Sequence, residues 1–127
     1  MVRFLHTSDW QLGMTRRFLD EDAQARFTAA RFEAITEIAR VATSERCEFV
    51  VVAGDVFETN QIDRRTVLRA CERLGEIAVP VFLLPGNHDP LDAGSVFNSP
   101  AFLAKMPANV VVLTDTSPRI VRAGVEC

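Results

Sequence analysis

The chain has 127 residues, of which 48% are apolar and 24% are charged, and its formal net charge is −3. This composition predicts one soluble globular domain with a core of reasonable size, and it excludes a chain whose overall charge attracts nucleic acid. No apolar run approaches the ~20 residues that cross a bilayer, and the N-terminus lacks the apolar stretch of a signal peptide.

The three cysteines, Cys47, Cys71 and Cys127, are odd in number and have no CxxC spacing. Such a pattern indicates free thiols in a reducing compartment rather than a disulfide framework, so we expect a cytoplasmic protein. Cys47 and Cys71 lie in apolar stretches, which favours a place in the core over a reactive role.

The first half of the chain predicts two strands separated by a long helix. Residues 3–7 form a short strand candidate, and polar residues 8–13 follow it. Residues 14–22 show no clear period and are interpreted as a loop. Apolar residues at three- and four-residue spacing predict a helix over residues 23–43. A β-branched apolar run then predicts the second strand at residues 48–53.

The first helix has a candidate cap in Asp20 or Asp22, since an aspartate before a helix accepts hydrogen bonds from its free amides. Its expected buried stripe consists of Phe27, Ala30, Ala34, Ile35, Ile38, Val41 and Ala42. A second helix is predicted over residues 63–77, with Asp63 as its cap. Its expected buried stripe consists of Val67, Leu68, Cys71 and Leu74.

The second half continues the alternation of strands and helices. Val81–Leu84 reads as a strand buried on both faces, because the apolar run stops at Pro and Gly. Ser99 followed by Pro100 predicts a short helix over residues 99–106. Strands are expected at residues 110–113 and 120–125. The order β-α-β-α-β-α-β predicts an α/β fold with a largely parallel sheet.

Polar residues follow three of these strands. Asp9 and Gln11 come after the first, Asp55 after the second, and Asn87 and His88 after the third. Right-handed crossovers place the carboxyl ends of neighbouring parallel strands at one rim of a sheet. Two carboxylates, two amide oxygens and an imidazole suit divalent cations, and two such ions can clamp a phosphate and activate water. The sequence therefore predicts a metal site at this rim.

An imidazole at this rim also suits proton transfer. An imidazole suits proton transfer near neutral pH in general, and His88 is placed to protonate the leaving oxygen of a phosphoester. Glu58 or Asp89 is expected to orient it, as a carboxylate orients a catalytic imidazole. His6 alternates with Phe4 and is expected to be a satisfied core or supporting histidine. Trp10 is expected to pack at the rim, with a role as a substrate lid left open.

Arginines form local clusters at residues 16–17 and at residues 64, 65, 69 and 73. Guanidinium groups can bind phosphate in a bidentate manner. Charged residues on helices are most often a solvated face, and that is the expectation here.

The segments His6-Thr7-Ser8-Asp9-Trp10-Gln11-Leu12-Gly13, Gly54-Asp55-Val56-Phe57-Glu58 and Gly86-Asn87-His88-Asp89 resemble the calcineurin-like metallophosphoesterases. Within that family they are most similar to the Mre11/SbcD-type DNA repair exonucleases. These segments correspond, in the same order, to the family's motifs D-x-H, GDxxD and GNHD/E. The resemblance implies a layered α/β/β/α sandwich, with residues 1–127 as the N-terminal part of the domain. The last expected strand runs to the end of the chain without a turn, which also favours a longer protein.

The resemblance also implies a role for each matched residue. Asp9 would bind a first metal ion, Asp55 would bridge two ions, and Asn87 would bind the second. His88 would protonate the leaving group or stabilise the transition state. Glu58 stands where the family has the aspartate that orients this histidine.

The chain departs from the family pattern in three ways. Gln11 replaces a metal-binding histidine, so the first site would hold its ion more weakly and favour Mn²⁺ or Mg²⁺ over Zn²⁺. Glu58 replaces an aspartate, which lengthens the arm. The family's later histidines have no counterpart, because His6 and His88 are the only histidines. The 127 residues alone are therefore expected to be inactive, either as part of a longer protein or as a chain that is not a competent enzyme.

The resemblance implies a Mn²⁺-dependent exonuclease or endonuclease of DNA double-strand-break repair, with two divalent ions and a metal-bound hydroxide nucleophile. It also implies a partner ATPase of the SbcC/Rad50 type and a homodimer. Two alternatives remain. One is a phosphodiesterase for cyclic or small nucleotides, which the acidic composition favours slightly. The other is a non-catalytic binding module whose metal site is damaged by Gln11.

Overall fold

Four parallel strands form one sheet in a computed structural model of the protein, which describes residues 1–16 and 18–120. The strands are β1 (Phe4–Thr7), β2 (Phe49–Ala53), β3 (Val81–Leu84) and β4 (Val110–Val112), and they lie in the order β1-β2-β3-β4. The helices between them are α1 (Glu21–Ser44), α2 (Arg64–Gly75) and α3 (Pro100–Lys105), with a 3-10 turn at Val96–Asn98. The predicted α/β fold with a parallel sheet is confirmed.

Each helix begins directly after a cap that the sequence indicates; of the two candidates for α1 the cap is Asp20, so α1 starts at Glu21 and not at residue 23. The Asp20 side chain accepts a hydrogen bond from Ala23 N at 2.7 Å, and that of Asp63 accepts one from Thr66 N at 2.8 Å. Ser99 Oγ caps α3, with Pro100 as its first residue. Each cap satisfies an amide that has no partner inside its helix, which fixes where the helix starts.

Right-handed crossovers between neighbouring strands place all three helices on one side of the sheet. In agreement, α1 packs against α2 and α2 packs against α3. The strand residues facing them, among them Val50, Val52 and Leu83, are fully buried. The helices contribute Phe32, Ile35, Ala42, Val67, Ala70, Cys71, Leu74 and Phe102 to this core.

The buried stripe predicted for α1 is partly wrong. Ala30 and Ala34 are exposed, and Phe27 is only half-buried. The buried line runs through Phe32, Ile35 and Ala42 instead. An alanine-rich helix offers two competing stripes, and tertiary packing selects the one with the larger side chains. In α2, Ala70 is buried where Leu68 was expected, and Leu68 is half-buried.

The other face of the sheet is apolar but partly exposed. Phe4 stacks on Phe49 with ring centroids 5.0 Å apart, and Phe49 meets the edge of Phe82. His6 lies on this face and is exposed, so its expected place in the core is wrong, while a supporting role stays a prediction. The reason is that all three helices cover the opposite face.

Two expectations extend past the described residues. The second sheet of the expected sandwich is not among residues 1–16 and 18–120, and the strand predicted at residues 120–125 lies outside them apart from Ile120. Within the described part of the chain, no helix is long and apolar enough to cross a membrane.

Candidate metal centre

The three polar loops meet at the carboxyl ends of β1, β2 and β3, as the sequence predicts. Asp9 N donates to Gly54 O at 3.0 Å, and Gln11 N donates to Asp55 O at 2.9 Å. His88 N donates to the Asp55 side chain, at 2.9 Å from Oδ1. The loop after β2 is therefore hydrogen-bonded to the loops after β1 and β3, and Asp55 contacts both of them.

The candidate ligands have unusual backbone conformations. Asp9, Gln11 and Asp55 have φ values of 57°, 48° and 56°, in the left-handed region that residues with a side chain rarely adopt. Arg46 is the one other described non-glycine residue with a positive φ. Each such residue costs on the order of 1–3 kcal/mol and tends to occur at ligand sites. The strain is thus concentrated at the rim.

Gly86 lets the third loop approach the second. A Cβ atom at this position would lie 2.2 Å from Asp55 Oδ1 and 2.4 Å from Asp55 N. Because no side chain fits there, glycine is required for the contact between Asp55 and the loop that carries His88.

Asp89 links the loop after β2 to the loop after β3 through hydrogen bonds. Its side chain is fully buried, and its two carboxylate oxygens accept hydrogen bonds from Gly86 N at 2.8 Å and Phe57 N at 2.9 Å. The sequence offered Asp89 or Glu58 as the residue that orients His88. The contacts of Asp89 are with backbone amides, so it positions the loops instead.

Glu58 is the carboxylate beside His88. His88 Nδ1 lies 3.0 Å from the Glu58 backbone oxygen and 3.8 Å from Glu58 Oε1. When Nδ1 carries the proton it donates to that carbonyl, which leaves Nε2 free for another group. Glu58 Oε2 is buried and has no hydrogen-bond partner within the described structure. An unpaired buried carboxylate oxygen is costly, so this oxygen is suited to a cation or a donor.

The rim side chains are oxygen donors. Asp9 Oδ2 accepts from Ser8 Oγ at 2.8 Å, and in the described part of the chain the side-chain amides of Gln11 and Asn87 make no hydrogen bond. Two carboxylates and two amides fit a hard divalent cation such as Mn²⁺ or Mg²⁺. Residues 1–16 and 18–120 contain no cluster of three or more His, Cys, Asp or Glu that could hold a metal. The candidate ligands therefore consist of two carboxylates, Asp9 and Asp55, and two amides, Gln11 and Asn87.

Two further residues shape the rim. Trp10 is 8% exposed and donates from Nε1 to Thr7 Oγ1 at 3.0 Å, so it packs at the end of β1. Asn60, which sequence reasoning missed, donates to Pro90 O and accepts from Val96 N, both at 3.0 Å. It thereby fixes the chain that follows the His88 loop. Its position soon after Asp55 was the one available signal.

Comparison with known proteins gives the same picture as the motifs. Residues 2–122 match the calcineurin-like phosphoesterase family. The chain is 33% identical over 91 residues to the DNA double-strand break repair protein Mre11 of Archaeoglobus fulgidus, which covers 69% of this chain and 19% of that protein. It is 28% identical over 122 residues to the SbcD component of the nuclease SbcCD of Escherichia coli K12, which covers 94% of this chain and 28% of that protein.

The chain spans less than a third of the length of these two curated relatives. A solved structure, that of Pseudomonas putida nuclease MPE, aligns with a TM-score of 0.47 and 21% identity over 87% of this chain and 48% of that one.

Proposed function

The chain belongs to the calcineurin-like phosphoesterase family, and from this premise we propose that the protein is a metal-dependent phosphodiester hydrolase that acts on DNA. The observation that carries the proposal is the meeting of the three motif loops on Asp55, through its backbone oxygen and its carboxylate. This arrangement brings the oxygen donors and the imidazole to one rim, where a phosphate group has access.

The residues that would hold the metal are Asp9, Gln11, Asp55 and Asn87. A bound divalent ion supplies two things to a phosphodiester, the activation of a water molecule and the neutralisation of phosphate charge. The oxygen-rich donor set favours Mn²⁺, and we propose two ions that the Asp55 carboxylate would help to hold. The assignment of the individual ions stays a proposal.

His88 would transfer the proton to the leaving oxygen. Its Nδ1 faces the Glu58 carbonyl, so Nε2 is the atom left to meet a substrate. The imidazole is 44% exposed, which gives it access to a bound phosphodiester. General acid catalysis of this kind contributes on the order of 10²- to 10⁴-fold in rate. Glu58 would hold the ring in place.

The choice of DNA as substrate rests on the relatives, one named as a DNA double-strand break repair protein and the other as part of a nuclease. By the same reasoning we propose an exonuclease or endonuclease of double-strand-break repair in the cytoplasm. An ATPase partner of the SbcC/Rad50 type and a homodimer complete the proposal. The relatives' much greater length makes each of these a statement about the whole protein.

A phosphodiesterase for small nucleotides is the second candidate. The net charge of −3 favours it, because a protein that binds long nucleic acid gains from a positive surface. The rim itself does not distinguish a small diester from a DNA strand.

The experiment is a Mn²⁺-dependent digestion of linear DNA and of a small chromogenic phosphodiester by the longest reading frame that contains this chain. His88→Asn and Asn87→Ala serve as test variants, and Asp115→Ala, an exposed aspartate away from the rim, serves as the matched control. We expect DNA degradation that falls at least ~100-fold in both test variants and is unchanged in the control.

Three other results would redirect the proposal. Cleavage of the small diester without DNA degradation supports the second candidate. No cleavage of either substrate supports the binding module and points to Gln11. Full activity in both test variants contradicts the assignment of the site.

A further inference from the structure

Helix α2 carries Arg64, Arg65, Arg69 and Arg73, which we call the arginine ridge. Arg65, Arg69 and Arg73 are spaced four residues apart, so they lie along one side of the helix with ~6 Å between successive positions. One acidic residue, Glu72, lies on the same surface. The ridge is thus a local positive strip on a chain whose net charge is negative.

Aromatic stacking holds one of these arginines in place. The Arg69 guanidinium carbon lies 4.2 Å from the centre of the Phe32 ring on α1. Stacking fixes the plane of a guanidinium while leaving its N–H groups at the edge free for a ligand. Arg73, in contrast, interacts with other polar groups of the protein. It donates to Thr36 Oγ1 at 2.6 Å and lies 3.9 Å from Glu33.

Arg64 and Arg65 are exposed and, within the part of the chain that the structure describes, form no ion pair or side-chain hydrogen bond. Arg64, Arg65 and Arg69 thus form no ion pair or side-chain hydrogen bond in the described residues. Hydrogen bonds from Thr66 lower the pKa of the Asp63 carboxyl, and Arg65 is near enough to lower it further. A guanidinium with free donors is the side chain best suited to phosphate, which it binds through two parallel hydrogen bonds.

A cleft lies beside the ridge. It has a volume of about 680 Å³ and lies between the loop after β1 and the first turns of α1 and α2. Its lining includes Gly13, which is two residues beyond Gln11, together with Arg65 and Arg69. Arg16 faces the cleft and lies 5.7 Å from the Phe27 ring.

The acidic groups of the cleft are partly engaged. Asp20 and Asp63 accept hydrogen bonds from helix amides, and the third, Glu21, lies in the first turn of α1. The cleft itself therefore carries three carboxylates and three guanidinium groups, and the excess of positive charge lies on the ridge beside it.

We infer that the arginine ridge and Arg16 bind the phosphate backbone of a DNA strand that extends from the metal centre. This inference rests on the proposed function and deepens it, because it names where the substrate lies beyond the rim. The row of arginines suits regularly spaced phosphates, and Gly13 of the same cleft is two residues beyond Gln11, which favours the nucleic acid substrate over an acidic protein partner. Such contacts are independent of base sequence and sensitive to salt.

The test is the binding of a short fluorescein-labelled DNA duplex, followed by fluorescence anisotropy at several salt concentrations in EDTA. Arg65→Gln/Arg69→Gln is compared with Arg26→Gln/Arg119→Gln, a control that removes the same charge from exposed arginines outside the cleft. We expect the negative slope of log K against log[salt] to become shallower by about 1.8 in the ridge variant, or about 0.9 per lost phosphate contact. The control is expected to keep the wild-type slope.

A second variant guards against a folding defect, since Arg69 contacts Phe32. Arg64→Gln/Arg65→Gln removes two exposed groups that form no ion pair or side-chain hydrogen bond in the described structure, and thermal melting checks that it folds. It is expected to make the slope shallower by a similar amount. An unchanged slope in both ridge variants, or an equal loss in the control, overturns the inference.

Two further results keep this inference separate from the proposed function. If the ridge variants lose affinity for polyglutamate and not for DNA, the surface binds an acidic protein and the inference is wrong. Because EDTA removes the metal, the binding result does not depend on hydrolysis. A protein that fails to digest DNA with Mn²⁺ but shows the ridge-dependent slope overturns the proposed function alone.

Discussion

The buried core and the rim at the carboxyl ends of β2 and β3 contribute differently to this protein. Beneath the helices, Val52 and Leu83 are fully buried in an apolar core of regular geometry. A few residues further along the same strands, Asp55 is strained and Asn87 and His88 are exposed. The core supplies the free energy that offsets the strain of the rim, so the two regions should respond differently to substitution.

Only a few contacts join the two regions. Asp89 is fully buried like a core residue, yet it holds the loop that carries His88. Substitutions in the core should lower stability and leave the rim chemistry intact below the melting temperature, whereas changes at Asp89 should affect both.

Phe102→Ala should have the largest effect on stability. Phe102 is fully buried and meets Phe97 edge to face at 5.3 Å, so its loss leaves a cavity that costs about 3–5 kcal/mol. Thermal or urea unfolding measures this cost. Phe18→Ala, at a ring that is 83% exposed, is the matched control and should change little. Equal effects of the two substitutions would contradict the assignment of the core.

Asp89→Ala should come next. It leaves the Gly86 and Phe57 amides without a partner, and each unsatisfied buried group costs about 1–3 kcal/mol. Unlike Phe102→Ala, it should also displace the His88 loop and reduce phosphodiester cleavage in protein that is still folded. A variant that loses stability with full activity per folded molecule would show that Asp89 does not position this loop.

Asp63→Ala should cost about 1 kcal/mol through loss of the α2 cap. Hydrogen bonds from Thr66 lower the pKa of Asp63, partly against burial and with help from Arg65. Because the folded-state pKa lies below the unfolded one, the charged cap contributes fully above about pH 4 and loses its contribution as the pH falls through the folded-state pKa.

The control for this cap is Asp63→Asn, since asparagine caps helices without a charge. The stability difference between wild type and Asp63→Ala should shrink in acid, and the difference between Asp63→Asn and Asp63→Ala should not. Unfolding curves at several pH values measure both. A difference that grows in acid would contradict the direction of the pKa shift.

The smallest effect concerns Cys71. Burial raises the pKa of its thiol to about 11, so almost no thiolate is present at neutral pH. In a Cys127→Ser background, the folded protein should react very slowly with iodoacetamide, and two thiols should react after unfolding in guanidinium chloride. Rapid labelling of the folded protein would mean that Cys71 or Cys47 is not in the core.

The sequence predicted the strands and caps of this fold because they depend on local patterns. Apolar runs marked all four described strands, and Asp20, Asp63 and Ser99 marked the helix starts. Local patterns could not predict which stripe of α1 is buried or that His6 is exposed. Both features depend on which face of each element the rest of the chain covers, and that is a property of the tertiary structure.

The sequence predicted which residues lie at the candidate site, but it did not predict the contacts between them. Strand order alone brings Asp9, Asp55 and Asn87 to one rim, so spacing and topology were sufficient. Whether Glu58 or Asp89 faces His88 depends on the backbone path of two turns, which residue types do not specify. The contact between Gly86 and Asp55 likewise emerges only when the loops are seen side by side.

The central claim is that the three loops form one metal site, and Mn²⁺ binding to the chain tests it most directly. Electron paramagnetic resonance or calorimetric titration would compare the wild type with Asp55→Asn and with Asp115→Ala as the charge-matched control. We expect the wild type and the control to bind Mn²⁺ and Asp55→Asn to lose most of that affinity. Equal binding by all three proteins, or none by the wild type, would contradict the account.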